Sequence, residues 1–303
     1  MAGLSTPALE FLPSARRSAI PDFLALTKPE VNFLIVIATF TGFYLGYPGG
    51  LHNLPVGRLL NTLLGTLLVA SGTGTLNQYL ERDFDAQMRR TRRRPVAAGR
   101  VRPATAAWFG VLLSSAGTLY LFVAVNPLAS ALALFTLTTY LLVYTPLKRK
   151  TPFCTLAGAV PGAMPPLIGW AAASGSVTSV EPWTLYAVLF LWQFPHFMAI
   201  AWMHWEDYAR AGYLVLPPGE QRGRFMSWQA LLASLVLIPA SLIPTVIDHA
   251  GPVYFVLAGL LGSLFFYYSA SLAFRRSVHA ARRLLQASIV YLPLVFCLLA
   301  LEK

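Results

Sequence analysis

Charged residues and cysteines are scarce in this sequence. Only 12% of its 303 residues are charged, whereas 56% are hydrophobic, and soluble globular domains typically contain about 25% charged residues. This composition excludes an ordinary soluble domain and predicts a polytopic membrane protein. The two cysteines, Cys154 and Cys297, are too few for a disulfide framework and lack the spacing of metal ligands. We therefore assign both of them packing roles.

The sequence also lacks long polar linkers and the pattern typical of a cleavable leader. The first 28 residues contain no basic segment followed by an apolar run and a cleavage site, so we expect no removable signal peptide. No Ser/Gly-rich insertion divides the rest of the chain. We predict a cytoplasmic N-terminal segment over 1–28 and a single transmembrane domain over 29–303.

Apolar runs of about 20 residues recur between short polar connections, and each run is long enough to cross about 30 Å of hydrocarbon as a helix. The predicted spans are 29–48, 58–80, 104–123, 127–146, 154–173, 182–203, 228–247, 252–273 and 284–301. The sequence therefore predicts an all-α fold with nine transmembrane helices.

The net charge of +11 raises the possibility of nucleic-acid binding, but membrane topology explains where the basic residues lie. If the N-terminus is inside, every lysine and arginine except Arg58 and Lys303 falls in a cytoplasmic segment. We predict a cytoplasmic N-terminus, an external C-terminus, and contact with the lipid bilayer and not with nucleic acid.

Acidic residues close the second predicted span. Asn77, Glu81 and Asp85 are spaced four residues apart, which confines them to an arc of about 80° on a continuing helix. An amide oxygen and two carboxylates are hard ligands suited to Mg²⁺. Asp83 projects elsewhere unless the helix unwinds. The alternative is that these acids are solvated or paired with neighbouring arginines, and the two interpretations have equal weight on this stretch alone.

A second acidic set, Glu206 and Asp207, stands at the corresponding end of the sixth span. The two ends are about 124 residues apart, which fits two four-helix halves followed by a ninth helix. If the halves face each other, the acidic ends and the nearby cations form a Mg-diphosphate site at the inner surface. Most of the cations are also explained by topology and by anionic lipid headgroups.

Two spans contain residues that are unusual in a membrane helix: polar residues, which are costly there, in the sixth, and several prolines and glycines in the fifth. In the sixth span, Gln193 and His196 lie about two turns deeper than His204. A neutral His196 could ligate haem iron, but a hydrogen bond to a neighbouring helix is the more common role of a lone histidine. In the fifth span, Pro161, Pro165, Pro166 and three glycines predict a kinked cavity wall, close helix packing, or both.

Together these residues resemble the UbiA superfamily of intramembrane prenyltransferases, and within it the branch that farnesylates protohaem IX. The similarity runs from residue 26 to the last span and rests on five ordered signatures. The first contains Asn77, Glu81, Arg82, Asp83, Asp85, Met88, Arg90, Thr91, Arg94 and Pro95. The others contain Tyr144, Thr145, Leu147, Lys148 and Arg149, then Gly162, Ala163, Pro165, Pro166, Gly169 and Trp170, then Trp192, Gln193, Pro195, His196 and Phe197, and finally Asp207, Tyr208, Ala211 and Gly212.

Two positions depart from the family pattern. Glu81 stands where aspartate is common, which keeps the charge but moves the carboxylate by one methylene. Residues 213–215 replace the sequence usual before Leu-Pro, and we expect this change to affect the loop conformation and not the chemistry.

The resemblance implies a UbiA-type helix bundle around a central cavity, in the cell inner membrane. It implies Mg-dependent transfer of farnesyl from farnesyl diphosphate to a vinyl group of haem b, with addition of water, giving haem O and diphosphate. The expected recipients of the product are a haem A synthase or a terminal oxidase. An aromatic prenyltransferase of the same superfamily and a non-catalytic haem transporter or assembly factor are the alternatives.

The resemblance also assigns roles to residues. The implied catalytic residues are Asn77, Glu81, Asp83, Asp85 and Asp207, of which all except Asp83 are also the implied metal ligands. Diphosphate binding falls to Arg90, Arg94, Lys148 and Arg149. Haem binding falls to Trp192, Gln193 and His196.

Overall fold

The computed structural model describes residues 19–219 and 221–303, and within these residues the regular structure is entirely helical. The predictions that involve residues 1–18, including Arg16 and Arg17, lie outside the described part. Nine of the described helices are long and apolar enough to cross a membrane. They are α1 (Pro29–Gly46), α2 (Val56–Leu80), α3 (Pro103–Ala124), α4 (Pro127–Leu147), α5 (Cys154–Ser174), α6 (Val180–Met203), α7 (Gln221–Val246), α8 (Pro252–Arg275) and α9 (Val278–Leu301).

The prediction of nine spans is confirmed, and several helix starts have a local cause. Proline occupies the first helical residue of α1, α3, α4 and α8, where its missing N–H costs nothing. The Asn126 side chain caps α4 by accepting from the Ala129 N–H at 2.8 Å. Hydropathy alone placed the starts of α7 and α9 several residues too late, because both helices begin with a polar turn outside the apolar run.

The fifth span is broken in the middle, as its prolines predict. The helix stops at Gly162 and resumes at Met164. Close packing occurs as well, because a Cβ atom added to Gly169 would lie 2.0 Å from the Thr39 carbonyl oxygen of α1. The break and the close packing are therefore both present in α5, and the cavity that the kink would line stays a prediction.

Two helices form the centre of the bundle. In the most apolar 18-residue windows of α5 and α6, 72% and 61% of the residues are buried, against 28% in α3, α4 and α8. The remaining apolar side chains of the outer helices, such as Trp108, Phe122 and Phe274, are exposed. A lipid-facing surface of this kind needs an apolar solvent, which is expected of a multi-pass membrane protein.

The connections 81–102, 148–153 and 204–219 all lie at the same end of the bundle, which we call the basic end because it holds most of the described arginines and lysines. A hydrogen bond of 2.7 Å from the Leu214 N–H to the Lys148 carbonyl oxygen joins two of these connections. The other end, which carries residues 47–55, 175–179, 247–251 and the last residues, is called the opposite end. The described fold thus brings residues from distant parts of the sequence together at one surface.

Candidate active site

The acidic end of α2 keeps its residues on one face. The helix ends at Leu80, but the hydrogen-bonding pattern continues, because the Glu81 N–H donates to the Asn77 carbonyl oxygen at 2.9 Å and the Asp85 N–H to that of Glu81 at 2.8 Å. The side chains of Asn77, Glu81 and Asp85 are 1 to 5% exposed. Three potential oxygen ligands are therefore buried side by side.

Each of these buried groups contacts a different basic side chain. Lys28 Nζ donates to Asn77 Oδ1 at 2.8 Å, and Lys148 Nζ donates to Glu81 Oε1 at 2.7 Å. Arg94 Nη1 lies 2.9 and 2.8 Å from the two carboxylate oxygens of Asp85. The cations come from the start of α1, the end of α4 and the loop after α2, so the site depends on the tertiary fold.

The electrostatics of the Glu81–Lys148 pair favour two charged groups. Burial alone would raise the pKa of Glu81, but the charge and hydrogen bond of Lys148 outweigh it and hold that pKa below its ordinary value. Burial would lower the pKa of Lys148, but the Glu81 carboxylate holds it well above its ordinary value. Both shifts have the same physical cause, which is a close ion pair shielded from water.

Lys28 behaves differently. Burial, together with repulsion from Arg94, lowers the pKa of Lys28 to about 7. Its partner, the Asn77 side chain, is neutral and cannot compensate for the lost hydration. The charge of this lysine is therefore sensitive to pH and to any anion that enters the site.

The second acidic end lies against the loop that follows the first. Beyond α6, the short helix Trp205–Arg210 carries Asp207, which is 7% exposed. Asp207 Oδ2 accepts from the Arg90 backbone N–H at 3.3 Å, and Asp207 Oδ1 accepts from Arg210 Nη1 at 3.0 Å. Burial would raise the pKa of Asp207, but the backbone N–H groups of residues 89 and 90 and the Arg210 charge lower it.

Apolar contacts hold these two segments together. Met88, Ala211 and Tyr213 form a buried cluster against which Phe84 and Tyr208 pack. The loop after α2 is fixed further by the Thr91 hydroxyl, which donates to the Asp85 carbonyl oxygen at 3.0 Å. Asp85 and Asp207 therefore both contact the loop that follows Asp85, Asp85 through Thr91 and Arg94 and Asp207 through the Arg90 N–H.

Some of the predicted residues do not join this cluster. The Asp83 side chain is 72% exposed and lies 3.5 Å from Arg82, outside the buried set. The Arg90 side chain is exposed, and the Arg149 guanidinium lies 4.3 Å from the centre of the Phe84 ring. Of the four predicted diphosphate-binding cations, Arg94 and Lys148 are the ones that contact the buried carboxylates.

The residues predicted for haem lie deeper in the bundle. The rings of Trp192 and His196 stack with their centres 4.6 Å apart. His196 Nδ1 lies 2.8 Å from the Ser288 hydroxyl of α9, and Trp192 Nε1 donates to the Ser288 carbonyl oxygen at 2.8 Å. Gln193 points toward α5 and donates to the Ala159 carbonyl oxygen at 3.1 Å. Trp192 and His196 therefore share a partner, whereas Gln193 does not.

The donor set fits a hard cation by its chemistry. Carboxylate and amide oxygens are the groups that Mg²⁺ accepts from proteins, usually together with substrate phosphates. Among the described residues, no three His, Cys, Asp or Glu side chains are close enough to hold a metal ion by themselves. The buried oxygens of Asn77, Glu81 and Asp85 accept hydrogen bonds from basic side chains. A metal ion bound here would therefore need substrate oxygens to complete its coordination.

Sequence reasoning missed three members of this site. Lys28, Thr145 and Tyr213 were not assigned roles, yet Lys28 contacts Asn77, and Asn77 Nδ2 donates to the Thr145 hydroxyl at 3.3 Å. Tyr213 is 4% exposed and packs against Phe84. Lys28 and Thr145 stand in stretches that resemble the family, which was the available signal. Tyr213 stands where the sequence departs from the family pattern.

The chain belongs to the UbiA prenyltransferase family, whose model matches residues 35–292. It is therefore a transferase that acts on prenyl groups within a membrane. A protoheme IX farnesyltransferase of Solibacter usitatus is 46% identical over 93% of this chain and 98% of that protein. Another from Salinibacter ruber is 42% identical, with the same coverage of each chain.

Solved structures show the same fold. A structure of digeranylgeranylglyceryl phosphate synthase superimposes with a TM-score of 0.74 over 93% of this chain and 98% of that one, at 17% identity. A UbiA homologue from Archaeoglobus fulgidus bound to GPP and Mg²⁺ gives a TM-score of 0.61 over 92% and 99% of the two chains, at 14% identity. At such identities the likeness defines the fold and not the acceptor.

Proposed function

We propose that this chain transfers the farnesyl group of farnesyl diphosphate to a vinyl group of haem b, giving haem O and diphosphate. The observation that carries the proposal is that the loop after the acidic end of α2 contacts the other acidic end, through the 3.3 Å hydrogen bond from the Arg90 N–H to Asp207. The names of the relatives support haem b as the acceptor, and the Archaeoglobus structure supports a Mg²⁺-bound prenyl diphosphate as the donor.

The basic end supplies groups for both the metal and the phosphates. Asn77, Glu81, Asp85 and Asp207 would hold Mg²⁺, which neutralises negative charge on the departing diphosphate. Arg94 and Lys148 contact two of these carboxylates in the described structure. A bound diphosphate would offer both cations negatively charged oxygens in place of the carboxylates. The two cations would then stabilise the leaving group by charge-assisted hydrogen bonds.

The reaction requires that water be excluded until a late stage. The bond between C1 of the farnesyl chain and the diphosphate oxygen breaks, and the diphosphate takes the electron pair. The π electrons of the haem vinyl group form the new carbon–carbon bond to C1, which leaves positive charge on the carbon beside the porphyrin. Water adds there and loses a proton, which gives the hydroxyl group. Apolar helix walls keep the allylic centre dry before that step.

The contacts of His196 favour a role toward haem iron. The Ser288 hydroxyl has one proton, and its 2.6 Å contact with the Leu285 carbonyl oxygen engages that proton. Ser288 must then accept from His196 Nδ1, which leaves the lone pair of the imidazole on Nε2. Nε2 makes no hydrogen bond to any described residue. We infer that Nε2 faces the haem, with Trp192 supporting the ring.

His196→Ala tests this role separately. We expect the variant to bind haem b more weakly while its affinity for farnesyl diphosphate stays close to that of the parent protein. Absorption spectra recorded during haem titration measure the first quantity and calorimetry measures the second. Unchanged haem spectra would assign His196 to helix packing through Ser288.

The reaction itself is tested by incubating the detergent-solubilised protein with haem b, farnesyl diphosphate and Mg²⁺. We expect a farnesylated, hydrated haem by mass analysis, and no product when Mg²⁺ is chelated. Farnesylation of a hydroxybenzoate in place of haem would favour an aromatic prenyltransferase. Haem binding without any product would favour a transport or assembly role.

The charge distribution supports a location in the inner membrane with the basic end in the cytoplasm. Anionic lipids and the positive-inside rule both favour basic loops on that side. Labelling of single cysteines introduced at the basic end and at the opposite end of the bundle, in intact cells, tests this orientation.

A further inference from the structure

Tyr213 is a buried residue of the basic end that the proposed chemistry leaves unused. It follows Gly212, whose φ of +70° belongs to the left-handed region that glycine adopts readily. The resulting turn directs the chain back toward the end of α2, where the Tyr213 and Phe84 rings have centres 5.7 Å apart. The Tyr208 ring lies 6.2 Å away on another side.

The backbone around Tyr213 is fixed at two points. Its own N–H donates to the Tyr208 carbonyl oxygen at 2.8 Å, and the next N–H, that of Leu214, donates to the Lys148 carbonyl oxygen at 2.7 Å. The Lys148 ammonium, which pairs with Glu81, lies 5.9 Å from the centre of the Tyr213 ring. The phenol is therefore held beside the buried ion pair and not on a mobile loop tip.

The hydroxyl group of Tyr213 is buried and has no well-formed hydrogen bond to any described residue, although the Glu81 carboxylate lies close to it. A buried hydroxyl in this state is unfavourable, and a ligand oxygen that accepts from it would supply the missing partner. Burial raises the pKa of Tyr213, and the nearby negative charge of Glu81 raises it further. The phenol is therefore protonated at neutral pH and can act as a hydrogen-bond donor.

We propose that the Tyr213 hydroxyl donates a hydrogen bond to a phosphate oxygen of the prenyl diphosphate. This inference rests on the proposed function and adds a neutral donor to the cations Arg94 and Lys148. The position of the phenol is fixed, because its ring packs against Phe84 and Tyr208 and its backbone is hydrogen-bonded to Tyr208. A neutral donor also leaves the charge balance of the Glu81–Lys148 pair unchanged.

The test compares two buried tyrosines. Tyr291 of α9 is 2% exposed, its hydroxyl also lacks a described partner, and its ring stacks on Phe265 at 4.9 Å. Tyr213→Phe and Tyr291→Phe remove the same atom from two places, and only the first lies at the basic end. Binding of inorganic pyrophosphate with Mg²⁺ is measured by calorimetry and by the rise in unfolding temperature.

We expect Tyr213→Phe to weaken pyrophosphate binding about 10- to 100-fold, because the variant lacks one hydrogen bond to a charged group. Its unfolding temperature without ligand should match or exceed that of the parent protein, and its haem affinity should not change. Tyr291→Phe should bind pyrophosphate normally. Normal binding by Tyr213→Phe would overturn this inference alone. Failure of the parent protein to bind pyrophosphate would overturn both this inference and the proposed function.

Discussion

The two ends of the helix bundle differ in how deeply paired charges are buried. At the basic end, Glu81 and Asp85 are 5% and 1% exposed, and their partners come from other elements or loops. At the opposite end, His249 Nε2 lies 3.2 Å from Glu181 Oε1, but the two side chains are 51% and 24% exposed. The two deeply buried ion pairs, Glu81–Lys148 and Asp85–Arg94, therefore lie at the basic end, which also has solvated pairs such as Arg82–Asp83, whereas the pair at the opposite end is partly exposed.

The opposite end has a cavity but little buried charge. The cavity has a volume of about 300 Å³ and is lined mainly by apolar side chains, with Glu181, His249 and Lys303 at its polar part. Lys303 donates to the carbonyl oxygens of Tyr44 and Tyr47 and so caps the end of α1. Exposed pairs contribute little stability, whereas buried pairs are costly to desolvate. The desolvation cost of the buried pairs at the basic end supports a ligand-binding role for that end.

The largest effect should follow from breaking a buried pair. Lys148→Met leaves the Glu81 carboxylate buried without its 2.7 Å partner. We expect a loss of about 3–5 kcal/mol in the free energy of unfolding, because an uncompensated charge then stays in an apolar environment. Denaturant titration of the protein in detergent, followed by tryptophan fluorescence, measures this loss.

A double variant separates the charge effect from lost packing. Adding Glu81→Gln to Lys148→Met removes the stranded carboxylate and should restore most of the lost stability, although turnover stays low. If the double variant is as unstable as the single one, the pair does not stabilise the fold through charge.

The next largest effect concerns turnover. Asp85→Asn and Asp207→Asn keep the side-chain shape but remove the charge from two acidic helix ends. We expect each to lower kcat roughly 10²–10³-fold, which is comparable to losing one preorganised group that stabilises the transition state. Mass analysis of haem after timed incubation gives the rate.

Asp83→Ala provides the matched control. Asp83 lies two residues before Asp85, but its side chain is 72% exposed. The family resemblance assigned Asp83 a catalytic role. Its exposure predicts instead that kcat falls by less than about tenfold, which corresponds to less than about 1.4 kcal/mol. A loss equal to that of Asp85→Asn would show that residues 81–85 rearrange when substrate binds.

The fold was largely predictable because it depends on local hydropathy. A run of about 20 apolar residues must form a helix in lipid, so all nine spans were found without any knowledge of tertiary contacts. The errors lie at α7 and α9, where polar first turns such as 221–224 continue the helix into the basic end. Hydropathy carries no signal there, because those turns are not immersed in hydrocarbon.

The site was predictable only in part, because its pairs span long distances in sequence. Asn77, Glu81 and Asp85 share a face by helical spacing alone. Nothing local indicates that Lys28 contacts Asn77, 49 residues away, or that Asp207 contacts Arg90, 117 residues away. The family resemblance placed Asp207 in the site, but the exposure of Asp83 and the burial of Tyr213 required the packed structure.

A smaller, pH-dependent effect should appear at the basic end. The pKa of Lys28 is about 7 in the folded protein, against an ordinary value of 10.5. Between these values the unfolded chain binds more protons, so stability should rise as pH increases from about 7 toward 10.5. Below about 7 the lysine is charged in both states and its full penalty is present.

Lys28→Met removes this titration. Unfolding temperatures at pH 7 and pH 9 should differ by less in the variant than in the parent protein. Parallel pH dependence in the two proteins would mean that Lys28 keeps its charge when folded, by pairing with an acidic group instead of Asn77.

The smallest effect should come from the opposite end. His249→Gln removes a pair whose histidine is 51% exposed, and the Glu181 side chain is 24% exposed, so the carboxylate keeps access to water on the side of Oε1 although Oε2 is buried. We expect less than about 1 kcal/mol of lost stability, the range of solvated pairs, and unchanged turnover. Denaturant titration and the haem assay measure both in one preparation. A loss of stability as large as that of Lys148→Met would mean that Glu181 is desolvated like Glu81. The two ends of the bundle would then differ in function and not in the burial of charge.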